Sequence, residues 1–518
     1  AYGYNLLSET LNDFNLIGED SEGERRMEIK GGQNEYALAG YFGRINYDYD
    51  GKYLVEFSGR YDGSSRFSSK DRWGFFPSAS VGWRLSEESF LSSARSWLSN
   101  LKVRYSYGNL GNQQVGYYDY LRTINIGTQS YLFGDKLPSS ASISAPVSSN
   151  LTWETVEHHN IGLDASFFNN RLTFTGEAYI RNTKDMLTAG ISLPATYGTS
   201  SPRMNSADMQ TKGYELSLGW QDMFKLAGKP FSYQVNLTFN DYTSEITKFN
   251  NPEKAFAKGY YEGMRIGEIW GYHIDGLFAT DEEAASYEVD QRRVNDIINS
   301  SSGALKGLHA GDLRFADLDG DNIISTGENT VDNPGDRRII GNSEPRYQYG
   351  ANLAFQWYGF DFSVFFQGIG RMDWYPAHEA ELFWGPFNRA YATFLPKNFL
   401  EQCWSEENPN AYFPRPRAYV AYDNMGDQCR ELTAKNDRYL QNIGYCRLKN
   451  LTVGYTLPKN WTRKAGIDML RVYFSGENLA CWSGIKTDYV DPEQARRGGD
   501  LKVYPWQKTF TFGINVNF

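Results

Sequence analysis

The sequence is short of the residues that most often carry chemistry. Its 518 residues include four cysteines and five histidines. The only close histidine pair, His158 and His159, is adjacent, so on a strand the two rings leave on opposite faces and cannot share a zinc. The chain has no Gly-x-Ser-x-Gly elbow and no phosphate-cradling glycine loop. An enzyme is therefore not expected. No apolar run approaches the ~20 residues of a transmembrane helix, and mean hydropathy is −0.57. Those values fit a soluble protein, and equally a β-barrel, where half of each strand is polar. Net charge is −10 and the basic residues are scattered, which argues against nucleic acid as a partner.

Aromatic residues and glycine, by contrast, are abundant. The chain has 37 Tyr, 32 Phe, 13 Trp and 50 Gly, which suits many strands with tight turns. Its last stretch shows the pattern most plainly. From Phe510 every second residue is apolar, through Phe512, Ile514, Val516 and Phe518. Thr511, Gly513, Asn515 and Asn517 lie between them. Side chains alternate across a strand, so this one has an apolar face and a polar face. In a membrane barrel the first meets lipid, the second a wet lumen, and a terminal aromatic sits in the interfacial girdle.

The same period predicts thirteen strands: 36–49, 52–62, 74–85, 100–110, 153–168, 171–182, 208–220, 231–242, 346–358, 360–370, 443–457, 470–480 and 506–518. Their connections alternate in length. Short ones fall at 50–51, 86–99, 169–170, 221–230, 359 and 458–469; long ones at 63–73, 111–152, 183–207, 243–345, 371–442 and 481–505. Short turns on one rim and long loops on the other mark a transmembrane antiparallel β-barrel with its short side periplasmic. A soluble sandwich has no reason to sort its loops this way. The fold class is thus all-β. Residues 1–35, with acidic Glu19, Asp20, Glu22 and Glu24, read as an extracellular loop segment. Residues 36–518 read as barrel, with long outer loops at about 111–152, 243–345 and 371–442. Bacterial single-chain barrels close with even strand numbers. Either the count is off, or strands and a plug precede Ala1, which itself follows no signal peptide and marks a mature chain, a processed product or a fragment.

Several phrases carry a family resemblance. They include Gly40-Tyr-Phe-Gly-Arg-Ile-Asn46, Arg60-Tyr-Asp-Gly-Ser-Ser-Arg-Phe67 and Phe75-Phe-Pro-Ser-Ala-Ser-Val-Gly-Trp83. Leu101-Lys-Val-Arg-Tyr-Ser-Tyr-Gly108, Gly359-Phe-Asp-Phe-Ser-Val-Phe-Phe-Gln-Gly368, Gly476-Glu-Asn-Leu479 and the terminal strand continue the series. In these the chain resembles the SusC/RagA family of TonB-dependent outer-membrane transporters, over nearly its whole length. The resemblance implies a plug inside a barrel of about twenty-two strands, of which this chain would supply the last thirteen and not the plug. It further implies a SusD-like surface lipoprotein as lid, energy from the TonB–ExbB–ExbD complex, and import of oligosaccharides or, in some members, peptides. A passive porin and a non-transporting receptor are the rival readings.

Four sets of residues are candidate sites. Asp317-Leu-Asp-Gly-Asp-Asn-Ile-Ile-Ser-Thr-Gly-Glu328 has the spacing of an EF-hand calcium loop. Its ligands would be Asp317, Asp319, Asp321, the Ile323 carbonyl and Glu328, with Ser325 through water, and Ca2+ favoured over Mg2+. Asn322 stands where that loop normally has glycine. The plain alternative is a solvated acidic turn. Cys403, Cys429, Cys446 and Cys481 all fall on outer loops or outer strand ends. In an oxidising compartment the expected pairs are Cys446–Cys481 and Cys403–Cys429, against four free thiols. Trp374, Tyr375, Trp384, Phe387, Trp404 and Tyr412 would stack on substrate or dock a lid, or else form the loops' own core. Lumen-facing Glu56, Arg60, Arg104 and Arg181 would touch substrate or plug, or simply satisfy the polar interior.

Overall fold

The computed structural model describes residues 34–518 apart from 135–136, 149–150, 191–193, 195, 197, 199–200, 296–306, 390, 392, 394, 418–419, 422–429, 498–502 and 505. The opening acidic segment and Cys429 therefore lie outside the described residues. All thirteen expected strands form. They are β1 Leu38–Tyr49, β2 Tyr53–Ser64, β3 Trp73–Arg84, β4 Leu98–Asn112, β5 Glu154–Phe167, β6 Leu172–Ala189 and β7 Arg203–Leu226. They continue as β8 Lys229–Lys248, β9 Arg346–Trp357, β10 Phe360–Arg371, β11 Tyr445–Thr456, β12 Met469–Ser483 and β13 Thr509–Asn517. Each pairs antiparallel with its sequence neighbour in one curved ladder that begins at β1 and ends at β13.

Short turns hold one rim. At β9–β10, Tyr358 and Gly359 both take positive φ, 52° and 89°, the twist a two-residue hairpin needs. A Cβ on Gly359 would come within 2.6 Å of the Thr456 carbonyl oxygen, so the turn is held to glycine by its neighbour as well. One expectation needs correction here. The connection placed at 221–230 is only Ala227 and Gly228, because β7 runs to Leu226 and β8 starts at Lys229. Their ladder continues through Phe224 opposite Phe231, beyond the point where strict alternation fades.

Register carries one polar face across the whole sheet. Ser106 of β4 faces Asn160 of β5, which faces Tyr179 of β6; Ser217 of β7 faces Thr238 of β8, which faces Gly350 of β9. The opposite face is apolar and exposed, as a lipid-facing surface requires. It carries two aromatic rows. Tyr41 and Tyr61 flank Trp73 at 6.2 and 4.9 Å, while Tyr49 and Trp83 flank Tyr53, each at 6.3 Å. Eight residues of β1 separate the rows, about 27 Å along a strand. Tilted as barrel strands are, that spans about 20 Å vertically, close to the height of an outer-membrane apolar band.

The long loops are folded, not slack. Loop 249–345 contains two small sheets, Glu268–Tyr272 with Arg337–Asn342 and Ile274–Leu277 with Leu313–Phe315. A short helix, Asp281–Ser286, is capped by the Thr280 side chain, which accepts from the Glu283 N–H. Loops 249–345, 372–444 and 484–508 share one hydrophobic core, including Phe315, Trp384, Tyr439 and Val490. A smaller core joins loops 65–72 and 113–153 through Phe67 and Trp153. Among the described residues, the largest buried side chains thus sit above the sheet, in the outer cap.

Candidate functional site

The inner wall is polar but nearly neutral. Its charges mostly cancel locally. Arg104 pairs with Asp164 at 3.1 Å and with Glu177, Lys102 reaches Asp164 at 3.3 Å, and Asn160 donates to Glu177 at 2.6 Å. Arg60 pairs with Asp62, Glu56 with Arg44, and Arg471 with Asp361. Arg181 stands opposite His158 and forms no ion pair among the described residues. Of the four lumen candidates, then, three satisfy the wall itself. Between the ion pairs run rows of amides and hydroxyls. Gln234, Asn236 and Thr238 of β8 face Gln221, Gly219 and Ser217 of β7, and beyond them Asn240 faces Glu215, a carboxylate with no ion pair among the described residues.

One outer loop reaches down to this wall. Arg447 of β11 is 3% exposed and bonds Asp491 at 2.6 Å, with Glu493 at 3.3 Å. Lys449 and the Tyr445 hydroxyl also engage Glu493, at 2.8 and 2.6 Å. Strand and loop carry opposite charges, so loop 484–508 is clamped inward. The wall around β11 is roofed by its own loop.

Of the aromatic candidates, Trp384 and Phe387 lie in the cap's core, and Trp374, Tyr375 and Tyr412 pack against it. Trp384 and Phe387 are 1% and 0% exposed, so neither meets a ligand as a wall would. The Tyr375 hydroxyl donates to the Leu432 carbonyl at 2.8 Å, and that of Tyr412 accepts from Gln441 at 2.8 Å. Trp374 stands edge-on to Phe383 at 6.0 Å, and Trp404 covers Gly311. The same core buries an ion cluster. Arg417 pairs with Asp312 at 2.7 Å, and Glu431 accepts from Asn295 at 3.2 Å. Burial, with the Asp312 charge beside it, pushes the Glu431 carboxyl up to about 8.

The acidic motif gathers a different set from the one its spacing suggests. Asp317, Asp319 and Asp336 bring carboxylate oxygens within 4.8 Å of one another. Asp321 instead accepts the Ile323 N–H at 2.7 Å, and neither it nor Glu328 belongs to the cluster. Asn322 does take the left-handed conformation, at φ 62°. Asp336 lies beyond the twelve-residue window and is fully buried, accepting from Leu318 and Ser325 at 2.8 and 2.7 Å. Burial and then the neighbouring Asp319 and Asp317 charges push its carboxyl up. Burial acts likewise on Asp317, but the Asn322 and Gly320 N–H groups outweigh it and hold that carboxyl low. Three oxygen donors, one with its pKa raised by burial and then by the other two, suit a hard cation.

Of the two expected disulfides, Cys446–Cys481 does not form, and Cys403–Cys429 involves Cys429, which lies outside the described residues. Cys403, Cys446 and Cys481 are free thiols. Cys446 faces Trp482 and Cys481 faces Arg447, so neighbouring strands send the two sulfurs to opposite faces. Cys403 is buried and its thiol bonds the Phe399 carbonyl at 3.3 Å. The histidine pair behaves as alternation requires. His159 bonds the Tyr105 hydroxyl on the lipid face, while His158 packs on Tyr179 in the lumen.

A continuous antiparallel ladder with a lipid-facing band, a polar inner wall and long folded loops on one rim is the wall of an outer-membrane β-barrel. Residues 2–479 match the family described as TonB dependent receptor-like, beta-barrel, and the chain belongs to that family. It is 30% identical to TonB-dependent receptor P3 of Formosa agariphila over 510 residues, 94% of this chain and 46% of that relative. It is 28% identical to TonB-dependent receptor SusC of Bacteroides thetaiotaomicron, over 93% of this chain and 44% of SusC. The chain thus spans about half the length of the curated relatives it matches. In fold it is similar to a chain of the RagAB peptide importer in its open-open state, with TM-score 0.69 and 23% identity, over 93% of this chain and 47% of that one.

Proposed function

We propose that the chain is the carboxyl-terminal barrel part of an active importer of neutral oligosaccharides, energised through TonB, ExbB and ExbD and lidded by a SusD-like lipoprotein. Likeness to SusC along almost the whole chain supports the type of transporter. The character of the inner wall supports the substrate class. Most of its ion pairs are closed within the wall, Arg181 and Glu215 being left unpaired among the described residues, and the rest of its free surface is mainly amide and hydroxyl, the groups that exchange hydrogen bonds with sugar hydroxyls. A charged peptide would call for more unpaired charge than Arg181 and Glu215 supply. Peptide import is the second reading, favoured by the likeness in fold to the RagAB peptide importer. Comparing uptake of labelled neutral oligosaccharides and labelled peptides by cells that make the complete protein separates them. Peptide uptake alone contradicts our reading.

We further propose that Asp317, Asp319 and Asp336 hold a structural calcium ion that staples loop 249–345. Its role is rigidity of the cap, not chemistry, and no catalytic residue is assigned.

A further inference from the structure

A pocket of about 170 Å³ opens in the cap between loops 372–444 and 484–508. Phe383, Phe399 and Phe413 make its floor, each more than nine-tenths buried. The floor is packed from beneath, with Phe387 at 5.4 Å from both Phe399 and Phe413. Asn398, Gln402 and Asp488 stand at its rim. Among the described residues the side chains of these three form no hydrogen bond or ion pair. The loop that carries Asp488 is fixed nearby, since the Lys486 N–H donates to the Gln441 side chain at 2.9 Å.

Apolar ring surface below and unpartnered amides and a carboxylate above match the two sides of a pyranose. Its C–H face prefers aromatic carbon, and its hydroxyls need both donors and acceptors. The amides of Asn398 and Gln402 offer both, and Asp488 accepts. A phenylalanine or leucine side chain would cover the same floor, but it would leave those polar groups facing carbon, which costs free energy. We propose that this pocket is a subsite for one pyranose unit of a neutral oligosaccharide at the outer surface. The assignment rests on the oligosaccharide reading and adds a place where the glycan is first held.

Saturation-transfer NMR on the complete protein in detergent tests it. The probes are methyl α-glucopyranoside, methyl β-galactopyranoside, methyl α-mannopyranoside and N-acetylphenylalaninamide. At least one glycoside should receive saturation on its ring C–H protons. Gln402→Ala combined with Asp488→Ala, neither a buried side chain, should weaken that transfer by about fivefold or more, at an unchanged thermal midpoint. Transfer to no glycoside, transfer insensitive to the double variant, or transfer to N-acetylphenylalaninamide alone would overturn the subsite. Oligosaccharide uptake by cells, measured in parallel, separates the two claims. Uptake that persists without glycoside transfer removes the subsite and leaves the importer; absence of uptake in the unaltered protein removes both.

Discussion

Cys446 and Cys481 would face each other directly if β11 and β12 kept the register of their periplasmic half. They do not, because Asn450 pairs with Glu477 but Leu448 pairs with Ala480. One extra residue on β12, with Asn478 at φ 52°, slips the ladder by one position. Every side chain beyond the bulge changes face relative to its old partner, and the two sulfurs part. Both thiols are therefore expected to remain free under oxidising conditions. Peptide mapping without reductant should recover each as an alkylatable cysteine, and a linked 446–481 peptide would contradict the bulge.

The Arg447 clamp should matter more than most surface ion pairs, because its guanidinium is almost fully buried. Arg447→Ala strands Asp491 without its cation and leaves Glu493 to Lys449 alone, a loss of about 3 kcal/mol in local stability. Limited proteolysis should then cut loop 484–508 much faster, with Arg447→Lys falling between. Equal cutting rates in all three proteins would show that the loop is held by something else.

Calcium, if bound as assigned, depends on Asp336 and not on Glu328. Chelator should accelerate proteolysis of loop 249–345 in the unaltered protein and in Glu328→Gln. Asp336→Asn should be cut fast with or without chelator. A reversed pattern would return the site to the twelve-residue motif, and no chelator effect in any of them would remove the ion.

The cap should loosen as pH rises. The Glu431 carboxyl stands at about 8 in the folded cap against an ordinary 4.5, so the folded state holds a proton that the unfolded state releases. Stability from this group is complete below about 4.5 and declines through the interval up to about 8. Burial pushes Asp312 in the same direction despite Arg417. Hydrogen exchange around Leu313 and Leu432 should quicken between pH 5.5 and 8.5, and Glu431→Gln should flatten that slope. A slope of opposite sign would contradict the assignment.

The strands were legible in the sequence because a barrel wall writes its two faces as a period of two. Phe231 to Asn240 states it almost without error. The end of β7 was harder, since Trp220-Gln-Asp-Met-Phe-Lys-Leu226 mixes its faces and pairing with β8, not pattern, extends it. The cap was legible only as an alternative, the loop aromatics serving as the loops' own core. Trp384 packs on Tyr439 across a stretch of loop with no periodicity, so its sequence alone cannot separate core from binding wall. Asp336 was missed for a related reason. It joins Asp317 only because the loop doubles back, placing the Leu318 and Ser325 N–H groups on its carboxylate. The turn-rich Asp332-Asn-Pro-Gly-Asp336 was the one local signal.

The central claim is energised import of neutral oligosaccharides, and uptake by cells with and without TonB tests it most directly. Cells making the complete protein and its lipoprotein partner should accumulate a labelled neutral oligosaccharide when TonB is present and lose that accumulation when it is deleted. Equal uptake in both would make the barrel a passive pore, and accumulation of peptide alone would contradict the substrate assigned here.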